Sequence, residues 1–335
     1  MLARAFHRWE RRLAAAAENR TVRPFEWGLE WVPGLGEGTG DPATRLISWA
    51  DDTLRHSQAF FDVPAAEYSF HGDRLTYRSA VATPHEQNNT VGARFFPVSS
   101  PNGRRRAVVV IPQWNADADG HVGLCRLINR FGISALRLSL PYHDARMPPE
   151  LKRADYIVSA NVGRTIAINR QAVLDARQAI AWLHQQGYES IGILGTSLGS
   201  CLAMLTAAHE PLIKAAALNH ISPYFADVIW KGLSTLHVRQ SLDGNVDLES
   251  LRRIWMPISP LPYLNRVKDK QTLLVYALYD LTFPVDLSRL FVTEFRTHSV
   301  PHETKVLPCG HYSTGVTPFK WIDGVALCRF LNRAL

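Results

Sequence analysis

The chain has 335 residues, of which 46% are hydrophobic, so it can form one large globular domain or two of ordinary size. Its formal net charge is +7, but the 37 lysines and arginines are spread along the chain and do not form the basic blocks of nucleic-acid-binding tails. The composition therefore predicts no nucleic-acid partner and at most a weak preference for anionic surfaces or substrates.

The cysteines and the apolar runs narrow the class of protein further. The four cysteines are dispersed without the C-x-x-C spacing of metal or redox sites, and they are Cys125, Cys201, Cys309 and Cys328. We expect buried free thiols in a reducing compartment and no bound metal. No stretch approaches the roughly 20 apolar residues of a membrane span, and the N-terminus lacks the apolar core of a secretory signal. These features predict a cytoplasmic protein.

The first 66 residues are predicted to be a helical and aromatic extension that packs on the rest of the chain. Residues 1–18 read as a basic helix with one apolar stripe, formed by Leu2, Phe6, Trp9, Leu13 and Ala16. Such a helix can lie on a membrane surface. Packing on its own domain or on a second subunit is favoured over this, and the oligomeric state stays open.

From residue 67 onward the pattern changes to strands and then to strict alternation of strands and helices. Two β-rich segments at 75–81 and 91–96 come first. The later strands are predicted at 107–111, 133–140, 191–194, 212–218, 270–277 and 304–307, with helices between and after them. This order predicts an α/β fold: a mostly parallel, doubly wound sheet with an antiparallel leading strand. Residues 221–265 interrupt the alternation and are predicted to be a cap insertion within the 67–335 domain.

The sequence Gly195-Thr196-Ser197-Leu198-Gly199 lies between a predicted strand and a predicted helix. In that setting Gly-x-Ser-x-Gly indicates a sharp turn that exposes the serine, with small residues where strand and helix approach. A following helix would direct backbone N–H groups and a partial positive charge at an oxyanion. The alternative is an ordinary tight turn whose serine caps the helix.

With this turn and the alternation of elements, the chain resembles the α/β-hydrolase superfamily, in its serine esterase and lipase-like branch. The order of catalytic residues in that superfamily is serine, acid, histidine. The resemblance implies Ser197 as nucleophile, Asp280 after the penultimate strand as acid, and His311 after the last strand as base. Asp286 is the alternative acid, although it suits a helix cap better. His311 could instead be a histidine of a surface loop.

The resemblance also implies an oxyanion hole made of two backbone N–H groups. One would be that of Leu198, directly after the nucleophile. The second comes from the loop after the earlier apolar strand, where this chain has Pro112-Gln113-Trp114 instead of the usual His-Gly-x. We assign the second donor to Trp114, with Gln113 as the alternative.

These residues predict a serine hydrolase that cleaves a carboxylic ester of a small molecule, with a thioester or an amide as further substrates. Neither a cofactor nor a metal is implied, and His143, His220 and His237 are interpreted as structural or pocket residues. One alternative is an acyltransferase. Another is a non-catalytic α/β-hydrolase-like protein associated with a membrane or a partner through its N-terminal helix.

Overall fold

The computed structural model describes residues 2–16, 19–36, 38–99, 103 and 105–335. Its centre is a nine-stranded sheet with the order β1-β2-β3-β5-β4-β6-β7-β8-β9. The strands are β1 Tyr68–His71, β2 Arg74–Arg78, β3 Thr90–Phe96, β4 Arg106–Ile111, β5 Ser134–Leu138, β6 Ser190–Thr196, β7 Ile213–Asn219, β8 Gln271–Ala277 and β9 Glu303–Leu307.

The sheet is antiparallel at one edge and parallel elsewhere. β1, β2 and β3 pair antiparallel, and β3 is also antiparallel to β5. The pairings from β5 through β4, β6, β7 and β8 to β9 are all parallel. The predicted fold class is therefore confirmed, with an antiparallel edge of three strands. The sequence analysis did not identify β1. This strand is only four residues long, and two of its residues, Ser69 and His71, are polar.

Helices cover both faces of this sheet. They are α1 Leu2–Ala15, α2 Pro42–Arg55, α3 Ser57–Phe60, α4 Val122–Asn129, α5 Val162–Gln185, α6 Leu198–His209, α7 Phe225–Lys231, α8 Leu236–Leu242, α9 Leu248–Ile254, α10 Val285–Thr297 and α11 Phe319–Ala334. The larger core contains side chains of α5, α6 and α10, and the smaller core contains side chains of α4 and α11.

Strand β4 shows why the central strands are apolar without interruption. Val109 and Ile111 point into the larger core, whereas Val108 and Val110 point into the smaller core, and all four are fully buried. Successive residues of a strand face opposite sides of the sheet, so a strand covered on both sides has no solvent-facing position. The carboxyl ends of the parallel strands consequently lie at one edge, where polar loop residues are brought together.

Helix α1 packs on the protein through part of its predicted apolar stripe together with a carboxylate that lies outside the stripe. Leu2, on the predicted stripe, is 62% exposed, whereas Glu10 is completely buried. Phe6 stacks on Tyr279 with ring centroids 4.5 Å apart. The last two residues of the predicted 1–18 helix, 17 and 18, lie outside the described residues. The buried face is thus defined by what α1 contacts, which includes a carboxylate.

Residues 221–265 form short helices beside the carboxyl ends of the strands. Phe225, Trp255 and Tyr263 are buried and belong to the larger core. The segment therefore packs firmly on the body of the protein. None of the helices that the structure describes is both long enough and apolar enough to cross a membrane.

Candidate active site

Ser197 lies at the sharp turn between β6 and α6, in a backbone conformation that is unusual for a residue with a side chain. Its φ is 57° and its ψ is −121°. Conformations of this kind cost about 1–3 kcal/mol and persist only where the surrounding structure imposes them. The Ser197 N–H donates to the Asn219 carbonyl (2.8 Å), and the Ser200 N–H donates to the Ser197 carbonyl (2.8 Å). The turn is therefore held from both sides.

The two glycines of the turn are required by backbone contacts. A Cβ atom on Gly195 would lie 1.9 Å from the Gly199 carbonyl oxygen. A Cβ atom on Gly199 would lie 2.3 Å from the Ile111 carbonyl oxygen and 2.5 Å from that of Pro112. Because backbone atoms cannot swing aside, only glycine allows β6, α6 and the end of β4 to approach this closely.

The structure brings Ser197, His311 and Asp280 together in one hydrogen-bonded chain. His311 Nε2 lies 3.1 Å from Ser197 Oγ, and His311 Nδ1 lies 2.9 Å from Asp280 Oδ2. With Nδ1–H donating to the carboxylate, Nε2 is free to accept the serine proton. Asp286 lies instead in the first turn of α10. The sequence order serine, acid, histidine thus corresponds to a spatial arrangement suited to nucleophilic catalysis.

Asp280 is 4% exposed and accepts hydrogen bonds on both carboxylate oxygens. Its Oδ1 accepts the backbone N–H groups of Thr282 (2.8 Å) and Phe283 (2.7 Å). Burial by itself would raise the pKa of Asp280, but the neighbouring imidazoles outweigh burial and hold the pKa well below its ordinary value. Asp280 is therefore ionised at neutral pH. Phe283 also stacks on the His311 ring, with centroids 5.4 Å apart.

His220, interpreted from the sequence as structural, contacts the same carboxylate. Its Nδ1 lies 2.8 Å from Asp280 Oδ2, and its ring centroid lies 4.6 Å from that of His311. Burial opposes its charge, but the hydrogen bond to Asp280 raises the pKa of His220 overall. No spacing indicates this contact, because 60 residues separate the two partners.

The ligand atoms of His220, Asp280 and His311 lie within 4.8 Å of one another, close enough for a shared metal ion. However, both ring nitrogens of His311 already have partners, in Asp280 and Ser197. A metal ion bound there would compete with the hydrogen bond to the serine. The arrangement accordingly fits proton transfer better than metal binding.

The expected oxyanion donors, Leu198 and Trp114, line the same pocket as Ser197. In the described part of the chain, neither backbone N–H has a hydrogen-bond acceptor. The indole of Trp114 is anchored separately, since its Nε1–H donates to the Ala154 carbonyl (2.9 Å). Two N–H groups near the nucleophile are thus available to an incoming oxygen atom.

The loop that carries Trp114 is supported by His143. The His143 Nε2 accepts the Asn115 N–H (2.9 Å), and its Nδ1–H donates to the Pro141 carbonyl (2.9 Å). Burial lowers the pKa of His143 to about 4. The ring is therefore neutral at physiological pH, which this pair of hydrogen bonds requires.

The loop that carries His311 is held by Glu10 from helix α1. The Glu10 carboxylate accepts the backbone N–H groups of Tyr312 (2.8 Å) and Ser313 (2.9 Å) and the Ser313 hydroxyl (2.7 Å). A Cβ atom on Gly310 would lie 2.3 Å from Glu10 Cδ. Sequence reasoning missed Glu10, because about 300 residues separate it from the loop that it binds.

Two cavities of different character meet at Ser197. The first, here called the apolar pocket, has a volume of about 40 Å³ and is lined by Cys201, Phe225, Val228 and Ile229, among others. The second, here called the main cavity, has a volume of about 630 Å³ and contains both Ser197 and His311. The reacting group of a substrate would therefore lie between a narrow apolar space and a wide one lined by both polar and apolar residues.

Three solved structures have a fold similar to that of this chain. The acylaminoacyl peptidase of Pyrococcus horikoshii is similar with a TM-score of 0.62 and 15% identity over 84% of this chain. An acetyl xylan esterase of a Paenibacillus species has a TM-score of 0.61 and 16% identity over 93% of this chain. Acetyl xylan esterase 1 of a Thermoanaerobacterium species has a TM-score of 0.59 and 13% identity over 96%.

The extent of these matches differs. This chain spans 43% of the length of the peptidase. It spans 100% of the Paenibacillus esterase and 98% of the Thermoanaerobacterium esterase. No protein-family model matches the chain, and no curated protein is similar to it in sequence. At 13–16% identity, the similarity concerns the fold.

Proposed function

We propose that this chain, which has the α/β-hydrolase fold, is a serine hydrolase that cleaves a carboxylic ester through an acyl-enzyme on Ser197. The observation that carries the proposal is the hydrogen-bonded chain from Ser197 Oγ through His311 to Asp280. A serine hydroxyl becomes nucleophilic only beside a base, and an imidazole is an effective base only if its other nitrogen is oriented.

In the proposed first step, His311 Nε2 removes the proton from Ser197 while the oxygen attacks the ester carbonyl. The tetrahedral oxyanion accepts hydrogen bonds from the N–H groups of Leu198 and Trp114. His311 then gives its proton to the departing alcohol, which leaves the acyl group on Ser197. A water molecule, deprotonated by His311, releases the carboxylic acid and restores the enzyme.

The dimensions of the apolar pocket favour a short acyl group. A volume of about 40 Å³ corresponds to roughly three or four water-sized groups. The surface that it exposes is mainly apolar, although hydroxyl-bearing residues such as Ser222 and Thr282 also line it, so an apolar acyl chain suits it better than a polar one. The proposed substrates are therefore esters of short carboxylic acids, and thioesters or amides of such acids are secondary candidates.

The test combines active-site labelling with turnover. A fluorophosphonate probe should label the wild-type protein, and Ser197→Ala should abolish labelling and reduce 4-nitrophenyl acetate hydrolysis by at least about 10³-fold. Ser69→Ala, at an exposed serine of β1, is the control and should keep the labelling. Near-normal hydrolysis by Ser197→Ala would overturn the proposal.

Acyl specificity is tested with 4-nitrophenyl esters of increasing chain length. The value of kcat/KM should be highest for acetate or propionate and should fall once the acyl chain exceeds the apolar pocket. A steady rise toward long chains would contradict the assignment of this pocket to the acyl group. Titration of the carboxylic acid that is released distinguishes transfer of the acyl group to water from its transfer to an added alcohol, because only transfer to water yields acid.

A further inference from the structure

The main cavity contains an excess of positive charge at the end nearest Tyr312. Arg20 and Arg153 both line this end, together with Trp114 and Ser234. The cavity also contains Ser197 and His311, so a substrate bound at Ser197 can extend to the arginines within one space.

Arg153 is held rigidly in the wall of the cavity and is 8% exposed. Its Nη1 donates to Asn19 Oδ1 (3.0 Å), and its Nε donates to Asp155 Oδ1 (3.3 Å). Its guanidinium carbon lies 5.0 Å from the centroid of the Trp114 ring. A planar cation fixed in this manner is pre-organised for an oxyanion and loses little entropy on binding.

Among the described residues, Arg20 has no carboxylate partner. Its Nη2 donates to the Tyr312 hydroxyl (3.0 Å), and its Nε is buried without a partner among the described residues. Asp155 is shared between Arg153 and Arg23, whose Nε lies 3.0 Å from its Oδ2. Asp155 is therefore shared by two guanidinium groups, and the Arg20 charge acts on Arg153 as well.

This imbalance opposes the folded state. Burial lowers the pKa of Arg153, and the charge of Arg20 contributes in the same direction. Uncompensated buried charge is costly and is concentrated at functional sites, where a ligand supplies the missing charge. The acidic group on another part of the cavity wall, Asp323, is already bonded to the Asn219 amide (2.8 Å) and does not offset the arginines.

We propose that Arg20 and Arg153 form a subsite for an anionic oxygen group, a carboxylate or a phosphate, carried by the ester substrate. This inference rests on the proposed function and specifies the substrate class: an ester with a small apolar acyl portion beside the nucleophile and an acidic group within reach of the two arginines. Arginine suits both anions, since its parallel N–H groups match two oxygen atoms.

The experiment compares charged and neutral esters of nearly equal size. The acetate esters of 4-hydroxybenzoate, 4-hydroxyphenyl phosphate and 4-hydroxybenzamide place a carboxylate, a phosphate or a neutral amide on the alcohol side. The 4-nitrophenyl monoester of succinate places a carboxylate on the acyl side. The 4-nitrophenyl ester of succinamate is its neutral partner. The wild-type protein should prefer at least one anionic ester to its neutral partner by about tenfold in kcat/KM, and the preference should weaken at high salt.

Two variants test whether the arginines cause this preference. Arg20→Gln and Arg153→Gln should each reduce the ratio of kcat/KM between the anionic and neutral esters by about tenfold, mainly through KM. Arg153→Lys keeps the charge without the planar fork and should retain part of the ratio. Arg170→Gln is the control, because Arg170 is also partly buried but binds the Phe60 carbonyl away from the cavity.

The outcomes separate this inference from the proposed function. If the protein hydrolyses neutral esters through Ser197 but shows no preference for any anionic ester, or keeps the preference in both arginine variants, the subsite is wrong and the hydrolase remains. If no ester is hydrolysed and Ser197 is not labelled, the proposed function itself fails. Comparing the carboxylate and phosphate esters identifies which anion the site accepts.

Discussion

The two loops that carry Ser197 and His311 are built in different ways. The serine turn is held by backbone atoms close to it in the sheet, with Gly195 packed on Gly199 and Gly199 packed on the end of β4. The histidine loop is held instead by a side chain of α1, because Glu10 accepts three hydrogen bonds from Tyr312 and Ser313.

This difference indicates how each loop can fail. The serine turn depends on the absence of side-chain atoms, so an added methyl group disrupts it even if every hydrogen-bonding group remains. The histidine loop depends on the docking of α1, so it can be disturbed by a change about 300 residues away that leaves the loop sequence intact. The N-terminal segment is accordingly expected to contribute to turnover as well as to stability.

The largest effect is expected at the carboxylate that orients the histidine. Asp280→Asn should reduce kcat by about 10⁴-fold, because an amide cannot stabilise the imidazolium or maintain the tautomer that His311 needs. Steady-state hydrolysis of 4-nitrophenyl acetate measures this. Asp286→Asn is the control and should lose less than about threefold. The opposite ranking would transfer the acid role to Asp286.

The next effect concerns the serine turn. Gly199→Ala should lower kcat by about 10²- to 10³-fold and reduce stability by several kcal/mol, since its Cβ would lie 2.3 Å from a backbone oxygen. Thermal unfolding and turnover are measured together. Gly123→Ala is matched, because Gly123 is also the second residue of a helix but has open space where a Cβ would stand. Equal stability losses in the two variants would show that crowding at the turn is not the cause.

The histidine loop is tested through Glu10. Glu10→Gln should lower kcat by about 10- to 100-fold with little change in KM, because the amide can face only part of the three donors that the carboxylate accepts. Arg11→Gln, on the exposed side of α1, should leave both constants unchanged. If Glu10→Gln lowered the unfolding temperature but left kcat intact, Glu10 would stabilise the fold without positioning His311.

The smallest effect concerns the loop of Trp114 and its support by His143. The folded-state pKa of His143 is about 4, below the ordinary value of about 6.5. The stability linked to this neutral ring is complete above pH 6.5 and is lost as pH falls toward 4. At pH 5 the loss is about 2 kcal/mol. His143→Gln does not titrate, so its urea unfolding free energy should fall less between pH 7 and pH 5; an identical fall would contradict this.

The central part of the fold was predictable because its signals are local. The uninterrupted apolar residues of β4 indicate a strand covered on both faces, and the structure buries Val108 and Val109 in opposite cores. Helix α1 was predictable as a helix, and its stripe residue Phe6 does pack on the protein, but the burial of Glu10 was not predictable. Leu2 is exposed and Glu10 is buried because the loop after β9 offers three donors to a carboxylate.

The sequence by itself determined the order of the elements and the positions of Ser197, Asp280 and His311 at strand ends, because periodicity and turn residues act over a few neighbours. Only the tertiary structure decided that His220 shares the Asp280 carboxylate and that Arg20 and Arg153 meet in one cavity. Such contacts join residues that are dozens to hundreds of positions apart. They arise when parallel strands end at a common edge and the N-terminal segment packs beside it. No local sequence pattern indicates contacts between residues so far apart in the chain.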